Sequence, residues 1–334
     1  MKLTNWNVEW MNHWFSPDSQ NPAWRKSAEI RGVSDINALA TRVANVIESI
    51  DPDVLCIQEG PSRYSEAELF INDYLNGAYE IFGPSGSGQQ KMYVLVKRGG
   101  TVQAVNRATQ NPFVPFDEPW AVDINGDQHL DEYEFTREPL VVDVTLTDGR
   151  EIRVINVHLK SKYVHNGERL WSDSAQRQEF ISKALLARRR ISAEAMRVRE
   201  YLNVLLEQDQ NRSIVVCGDF NDGPGSDYFE RHFLTHNLVA MLAGNPFRPQ
   251  YMMRHGFIDR VQAGDNYTVI FDDFVDLVVD RKILLDHILV SPGLFSSLTD
   301  GGIEHVAFNA QVDNTAVDRQ KYPSDHRPQS IEIA

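Results

Sequence analysis

Apolar and polar positions along this chain follow two rhythms. Short runs with a two-residue period, or with an unbroken apolar core, read as strands. They are Leu3–Val8, Val54–Ile57, Ile81–Phe82, Met92–Val96, Leu140–Leu146, Ile152–Val157, Ile214–Cys217, Leu284–Val290 and Ile331–Ile333. Two stretches carry the three-and-four spacing of a helix face instead. In the first, Ile36, Leu39, Val43, Val46, Ile47 and Ile50 share one side, with Asp35 before them as the cap. In the second, Ile191, Ala195, Val198, Leu202 and Leu205 step along a helix over Ser174–Glu207. Helix–strand pairs are too few and too irregular for a TIM barrel. Many short strands with helices between some of them predict an α/β sandwich. No repeat, low-complexity tract or linker divides the sequence, so residues 1–334 are expected to form a single domain.

Composition narrows the function classes. An apolar share of 42% and a charged share of 24% are ordinary for a globular protein and exclude a disordered or fibrous chain. Asp and Glu number 47 against 33 Lys and Arg, which gives a net charge of −14. That balance argues against a protein that coats nucleic acid or anionic membrane by bulk charge, though not against local basic contacts. Polar residues interrupt the N-terminus as a signal peptide, and no run of about 18 apolar residues is present. The expectation is a cytoplasmic protein without a membrane span. Cys56 and Cys217 each lie in an apolar run and read as small core residues.

The chemistry lies where the strands end. Asn7 in NWNVEW, Glu59 in VLCIQEG, Asn156 and His158 in VINVHLKSK, Asp219 and Asn221 in VVCGDFND, and Asp286 in LLDHILVS each adjoin a buried apolar run. A sixth segment, KYPSDHRP, adds Asp325 and His326 just before the last strand. A carboxylate beside apolar strands must be paired or it is costly. Six such segments point to one convergent polar site. Carboxylates and amides suit a hard divalent cation such as Mg²⁺, with Mn²⁺ as a substitute. The histidines suit proton transfer near neutrality. Together they describe metal-assisted attack of water on phosphorus.

In this order, QE, NVHLKS, GDFND, LDHILVS and SDHRP resemble the endonuclease/exonuclease/phosphatase superfamily, from Asn7 to the C-terminus. The resemblance implies a four-layer α/β sandwich of deoxyribonuclease I type, with two mainly antiparallel sheets between helices. It implies metal-site roles for Asn7, Glu59 and Asp325. It implies that His158 faces the transferring phosphate, that Asp219 orients or deprotonates water, and that Asn221 holds phosphate oxygens. It further implies an Asp286–His326 pair, with His326 stabilising charge or serving as acid–base group. Arg137 in TREPLVV matches a segment whose Arg contacts substrate phosphate in the deoxyribonuclease I branch.

Three features depart from that pattern. Asp123, Asn125, Asp127, Asp131 and Glu134 fall at calcium-loop spacing, but Gln128 stands where that loop needs glycine. Two readings stand: a structural Ca²⁺ site, or a hairpin turning at Asn125–Gly126. The helical segment 172–207 carries Arg177, Lys183, Arg188, Arg189, Arg190, Arg197 and Arg199, read as a solvated face, a phosphate-tracking ridge or a partner surface. Residues 254–283 form an acidic loop holding Asp265, Asp272, Asp273, Asp276 and Asp280, which disfavours a long polyanion. The leading expectation is a Mg²⁺-dependent phosphodiesterase of nuclease type acting on DNA or RNA. A phosphomonoesterase or lipid-headgroup hydrolase is the alternative, and a non-catalytic binding protein the outsider. The partner expected is a phosphoester substrate.

Overall fold

The computed structural model describes every residue except 18–20, 87, 110, 226, 235–236, 263 and 317. In chain order the strands are β1 (Lys2–Asn7), β2 (Val54–Gly60), β3 (Tyr79–Phe82), β4 (Lys91–Lys97), β5 (Val102–Arg107), β6 (Trp120–Val122), β7 (Asp131–Tyr133), β8 (Leu140–Leu146), β9 (Glu151–His158), β10 (Ile214–Asp219), β11 (Arg254–His255), β12 (Val269–Asp273), β13 (Val278–Ile283), β14 (Asp286–Val290), β15 (Leu298–Ile303) and β16 (Gln329–Ile333). The helices are α1 (Ile36–Ile50), α2 (Tyr64–Tyr74), α3 (Gly167–Ser172), α4 (Arg177–Gln208), α5 (Tyr228–His232), α6 (Leu238–Ala243) and α7 (His305–Asn309).

Two six-stranded sheets carry the fold. One runs β15-β16-β1-β2-β4-β3 and the other β11-β14-β10-β9-β8-β5. Each holds one parallel pair, β1 with β2 and β9 with β10, among antiparallel neighbours. The inward faces meet in an apolar layer that includes Leu3, Val54, Cys56, Val94, Val142, Val154, Cys217 and Ile288. On the first sheet's outer face, Trp6, Ile57 and Leu95 pack with the α1 stripe that the spacing predicts. On the second sheet's outer face, Ile155, Val157 and Val216 pack with Ile191, Val198, Leu202 and Leu205 of α4. The result is the four-layer α/β sandwich. Asp35 caps α1, its side chain accepting the Ala38 N–H.

The middle of the sandwich is not wholly dry. Gln58 donates to Asn5 at 2.8 Å and to Asn156 of the opposite sheet at 2.7 Å. Asn156 donates in turn to the carbonyls of Ile57 and Tyr93, both at 3.1 Å. A buried amide ladder thus fixes the two sheets in register.

Several elements differ from the sequence reading. β5 and β15 were not foreseen, because β5 is mostly exposed and β15 contains Asp300-Gly301-Gly302. The segment 254–283, read as a loop, contains β11 and an antiparallel β12–β13 hairpin. Within it Asp273 and Asp276 pair with Arg281, so part of its acidity is neutralised, while residue 263 lies outside the described residues. Among the described residues, no helix is long and apolar enough to cross a membrane.

Candidate active site

The two-residue period explains how the site forms. On the inward face, β10 runs Val215, Cys217, Asp219, and β14 runs Val290, Ile288, Asp286. β9 contributes Val154, Asn156 and His158, and β1 contributes Leu3, Asn5 and Asn7. Each strand carries apolar residues to mid-sandwich and polar ones at the same end. Register sets them side by side, with Asp219 opposite His158 on one neighbour and opposite Asp286 on the other. Gly218 permits this approach: its φ is 150°, and a Cβ there would stand 1.8 Å from the Val157 carbonyl oxygen. His287 points to the opposite face, as the strand period requires, and bonds the Asp222 carbonyl oxygen at 2.8 Å.

Asp219 is the hub. Its Oδ1 accepts the Asn221 N–H at 2.7 Å, and its Oδ2 accepts the Asn7 amide at 3.0 Å. The same amide lies 3.3 Å from Glu59 Oε1. His158 Nε2 is 3.5 Å from Asp219 and 3.8 Å from Glu59. His326 Nδ1 bonds Asp286 at 2.7 Å, and its Nε2 lies 4.0 Å from Asp219. Asn221 instead donates its side-chain amide to the Leu159 carbonyl at 3.0 Å.

Burial pushes the Asp219 carboxyl up to about 7; His326 opposes that shift, and Asp286 and Glu59 add to it. Burial, then Arg137, holds His158 well below its ordinary value and so neutral. Burial also acts against the charge on His326, but Asp286, Asp325 and Asp219 outweigh it and hold the imidazole protonated well above the usual histidine range.

Arg137 reaches the site: its Nε donates to His158 Nδ1 at 2.9 Å. Asp325 stands at the rim with a half-exposed side chain, its Oδ1 3.8 Å from His326 Nε2. Three acids escaped the sequence reading. Glu9 accepts the Asp325 N–H at 2.9 Å and pairs with Arg319; burial and Asp325 push its carboxyl up to about 7 against that arginine. Glu194 is buried on α4 and accepts the N–H groups of Thr136 at 2.9 Å and Lys160 at 2.7 Å, fixing the segments just before Arg137 and just after His158. An acid on the apolar face of a helix pattern was the available signal. Asp222, next to Asn221, binds Lys162 at 2.6 Å.

The cationic helix divides into buried and exposed parts, and 123–134 forms a hairpin. Arg188 and Arg199 are buried; Arg188 pairs with Asp227 and Glu230, and Arg199 donates to the carbonyls of Leu242, Ala243 and Tyr251. Arg197 donates to the Pro115 carbonyl and stacks over Trp120. These three side chains hold α4 to its neighbours, while Arg177, Lys183 and Arg190 are exposed, as a solvated face requires. Residues 123–130 span the turn of the β6–β7 hairpin, a loop longer than Asn125–Gly126 alone. There Asp123 accepts the N–H groups of Gly126, Asp127 and Gln128, Asn125 donates to Asp131, and Arg189 caps the Asn125 carbonyl. The oxygens of Asp123 are spent on the loop itself and Glu134 is exposed.

Among the described residues, one set of acidic and histidine donors converges closely enough for a metal ion: Asp219, Asp286 and His326. The Asp286–His326 hydrogen bond already engages two of its members. Asp219 also stands beside Glu59 and Asn7, whose oxygens are of the kind a hard cation takes. Asp286 Oδ1, buried without a hydrogen-bond partner, adds a further oxygen nearby.

The Endonuclease/Exonuclease/phosphatase family model matches residues 5–326. The chain belongs to this family. Members of the Endonuclease/Exonuclease/phosphatase family are phosphoester hydrolases, and the family generally uses a divalent metal. No curated protein matches the sequence. Solved structures share the fold at low identity. An AP endonuclease from Archaeoglobus fulgidus is 14% identical with a TM-score of 0.53, covering 100% of this chain and 99% of its own. A family protein from Bacteroides thetaiotaomicron is 13% identical with a TM-score of 0.52, covering 100% and 97%. Truncated TDP2 from Caenorhabditis elegans is 13% identical with a TM-score of 0.51, covering 100% and 97%.

Proposed function

We propose that this protein is a phosphodiesterase in which Asp219 orients and deprotonates the attacking water. The observation that carries this reading is the row His158, Asp219, Asp286 in strand register, closed by the 2.7 Å Asp286–His326 bond. His326, held protonated, stabilises charge on the phosphate oxygens or gives a proton to the leaving oxygen. Neutral His158, backed by Arg137, lines the other side. Glu59, Asn7 and Asp219 would hold Mg²⁺ or Mn²⁺, with Asp325 at the rim. The ion supplies charge neutralisation at the phosphate.

Nucleic acid is the first substrate class to try. Arg137 and Lys160 supply local positive charge, and the AP endonuclease of the same fold is by its name a nuclease. A phosphomonoester or lipid-headgroup substrate is the second reading, favoured by the burial of Arg188 and Arg199 inside the protein. Supercoiled plasmid and short oligonucleotides should be cut with Mg²⁺ and survive in EDTA. Intact nucleic acid alongside cleaved phosphate monoesters would transfer the assignment to the second reading. Asp219→Asn and His326→Ala should each lower turnover by about 10²–10⁴-fold with cooperative unfolding retained. Near-normal turnover in Asp219→Asn would remove it as the water activator.

A further inference from the structure

The cleft continues past the reacting residues. Beyond Asn221, Asp325 and His326 it opens into a cavity of about 870 Å³, within the range of small-molecule sites. Its walls come from α3, the first half of α4, α5 with the loop before it, and the β12–β13 hairpin. Phe180 forms its apolar floor, edge-on to Phe229 at 5.6 Å and to Phe274 at 5.8 Å. Phe271, on the hairpin, adds a ring that is 40% exposed.

The charges lining this cavity balance: five are basic and five are acidic, with His326 at its inner end. Most are already paired within the wall. Lys162 binds Asp222 at 2.6 Å and Asp227 at 3.3 Å; Arg188 pairs with Asp227, and Arg281 with Asp273. The protonated His326 serves the phosphate at the active site, so a second phosphate farther along the cavity would meet balanced charges, whereas an uncharged ring would find aromatic edges and faces.

We propose that this cavity receives an uncharged, ring-bearing group esterified to the phosphate held at the active site. The substrate is then a phosphodiester with one bulky apolar arm. This rests on the phosphodiesterase reading and names its substrate class. The arm could be the terminal nucleoside of a strand or the alcohol of a non-nucleotide ester.

Three diesters with matched primary alkyl arms separate these cases: methyl ethyl phosphate, methyl 2-(1-naphthyl)ethyl phosphate and methyl thymidin-5′-yl phosphate. Cleavage is followed by ³¹P NMR with Mg²⁺. A ring-bearing arm should raise kcat/KM over the ethyl arm by about tenfold or more. Phe274→Ser should reduce that ratio towards one, and Phe271→Ser, a half-exposed position, should do so if the first variant melts early. Preference for the naphthyl arm identifies a non-nucleotide alcohol, and preference for the thymidinyl arm a nucleoside. Equal rates for all three diesters, with the ratio unmoved in both variants, overturn the cavity assignment and leave the hydrolase reading intact. If no diester is cleaved, the phosphodiesterase reading fails by itself. Fluorescence titration with 2-(1-naphthyl)ethyl phosphate then decides the cavity: saturable binding weakened in Phe274→Ser supports it, and absence of binding overturns it.

Discussion

Asp219 is a carboxyl held between a neutral histidine and a second aspartate, and its ionisation should be visible in stability. Its folded value of about 7 lies above the ordinary 3.8. The unfolded chain therefore releases this proton first, and each pH step from about 4 to 7 favours unfolding, with the cost complete above 7. In EDTA, the melting temperature of Asp219→Asn minus that of the wild type should grow over this window and then level. A flat difference would contradict the burial argument. At pH 7.5, Mg²⁺ should raise the wild-type melting temperature more than that of Asp219→Asn, since a cation beside the buried carboxylate offsets the cost of its charge. His326 is raised as well, so its contribution has the same sign in a later window: it is complete below about 6.5 and is lost as pH rises beyond that. Asp286 holds its proton, so NMR titration in EDTA should place it well above 6.5, and Asp286→Asn should bring it down.

At the scale of elements, α4 does more than cover a sheet. Its buried Arg188 closes a network with Asp227, Glu230 and, through them, Lys162. Removing one member leaves buried charge unpaired. Arg188→Ala should lower stability by about 3–5 kcal/mol in urea unfolding. It should not produce the salt-dependent loss of nucleic-acid affinity expected of a phosphate contact; such a loss would restore the ridge reading. The apolar steps of α4 were legible in the sequence because their period is local. The partners of its arginines were not, because Asp227 lies 39 residues away and the Leu242 carbonyl 43. The β12–β13 hairpin was hidden for a related reason: its acids read as solvated until Arg281 folds back onto them.

Across the whole molecule, the amide ladder of Asn5, Gln58 and Asn156 decides how closely the sheets approach at the end that bears the site. Asn156→Leu strands the Ile57 and Tyr93 carbonyls and the Gln58 amide, each at a cost of about 1–3 kcal/mol. Urea unfolding should show that loss, and turnover should fall with it as Glu59 and Asp219 separate. Unchanged stability would mean that the ladder does not hold the sheets together.

What the sequence determined by itself were the strands with unbroken apolar runs, the two helix faces and the placing of polar residues at strand ends, because period and residue chemistry are local properties. Which of those polar residues meet depends on strand order and register. Asp219 and Asp286 are neighbours only because β10 and β14 pair antiparallel at that position. Glu9 and Glu194 join the site, and the arginines of α4 leave it, through contacts made by segments distant in the chain. Burial and charge pairing are sums over such contacts, so only the tertiary structure could decide them.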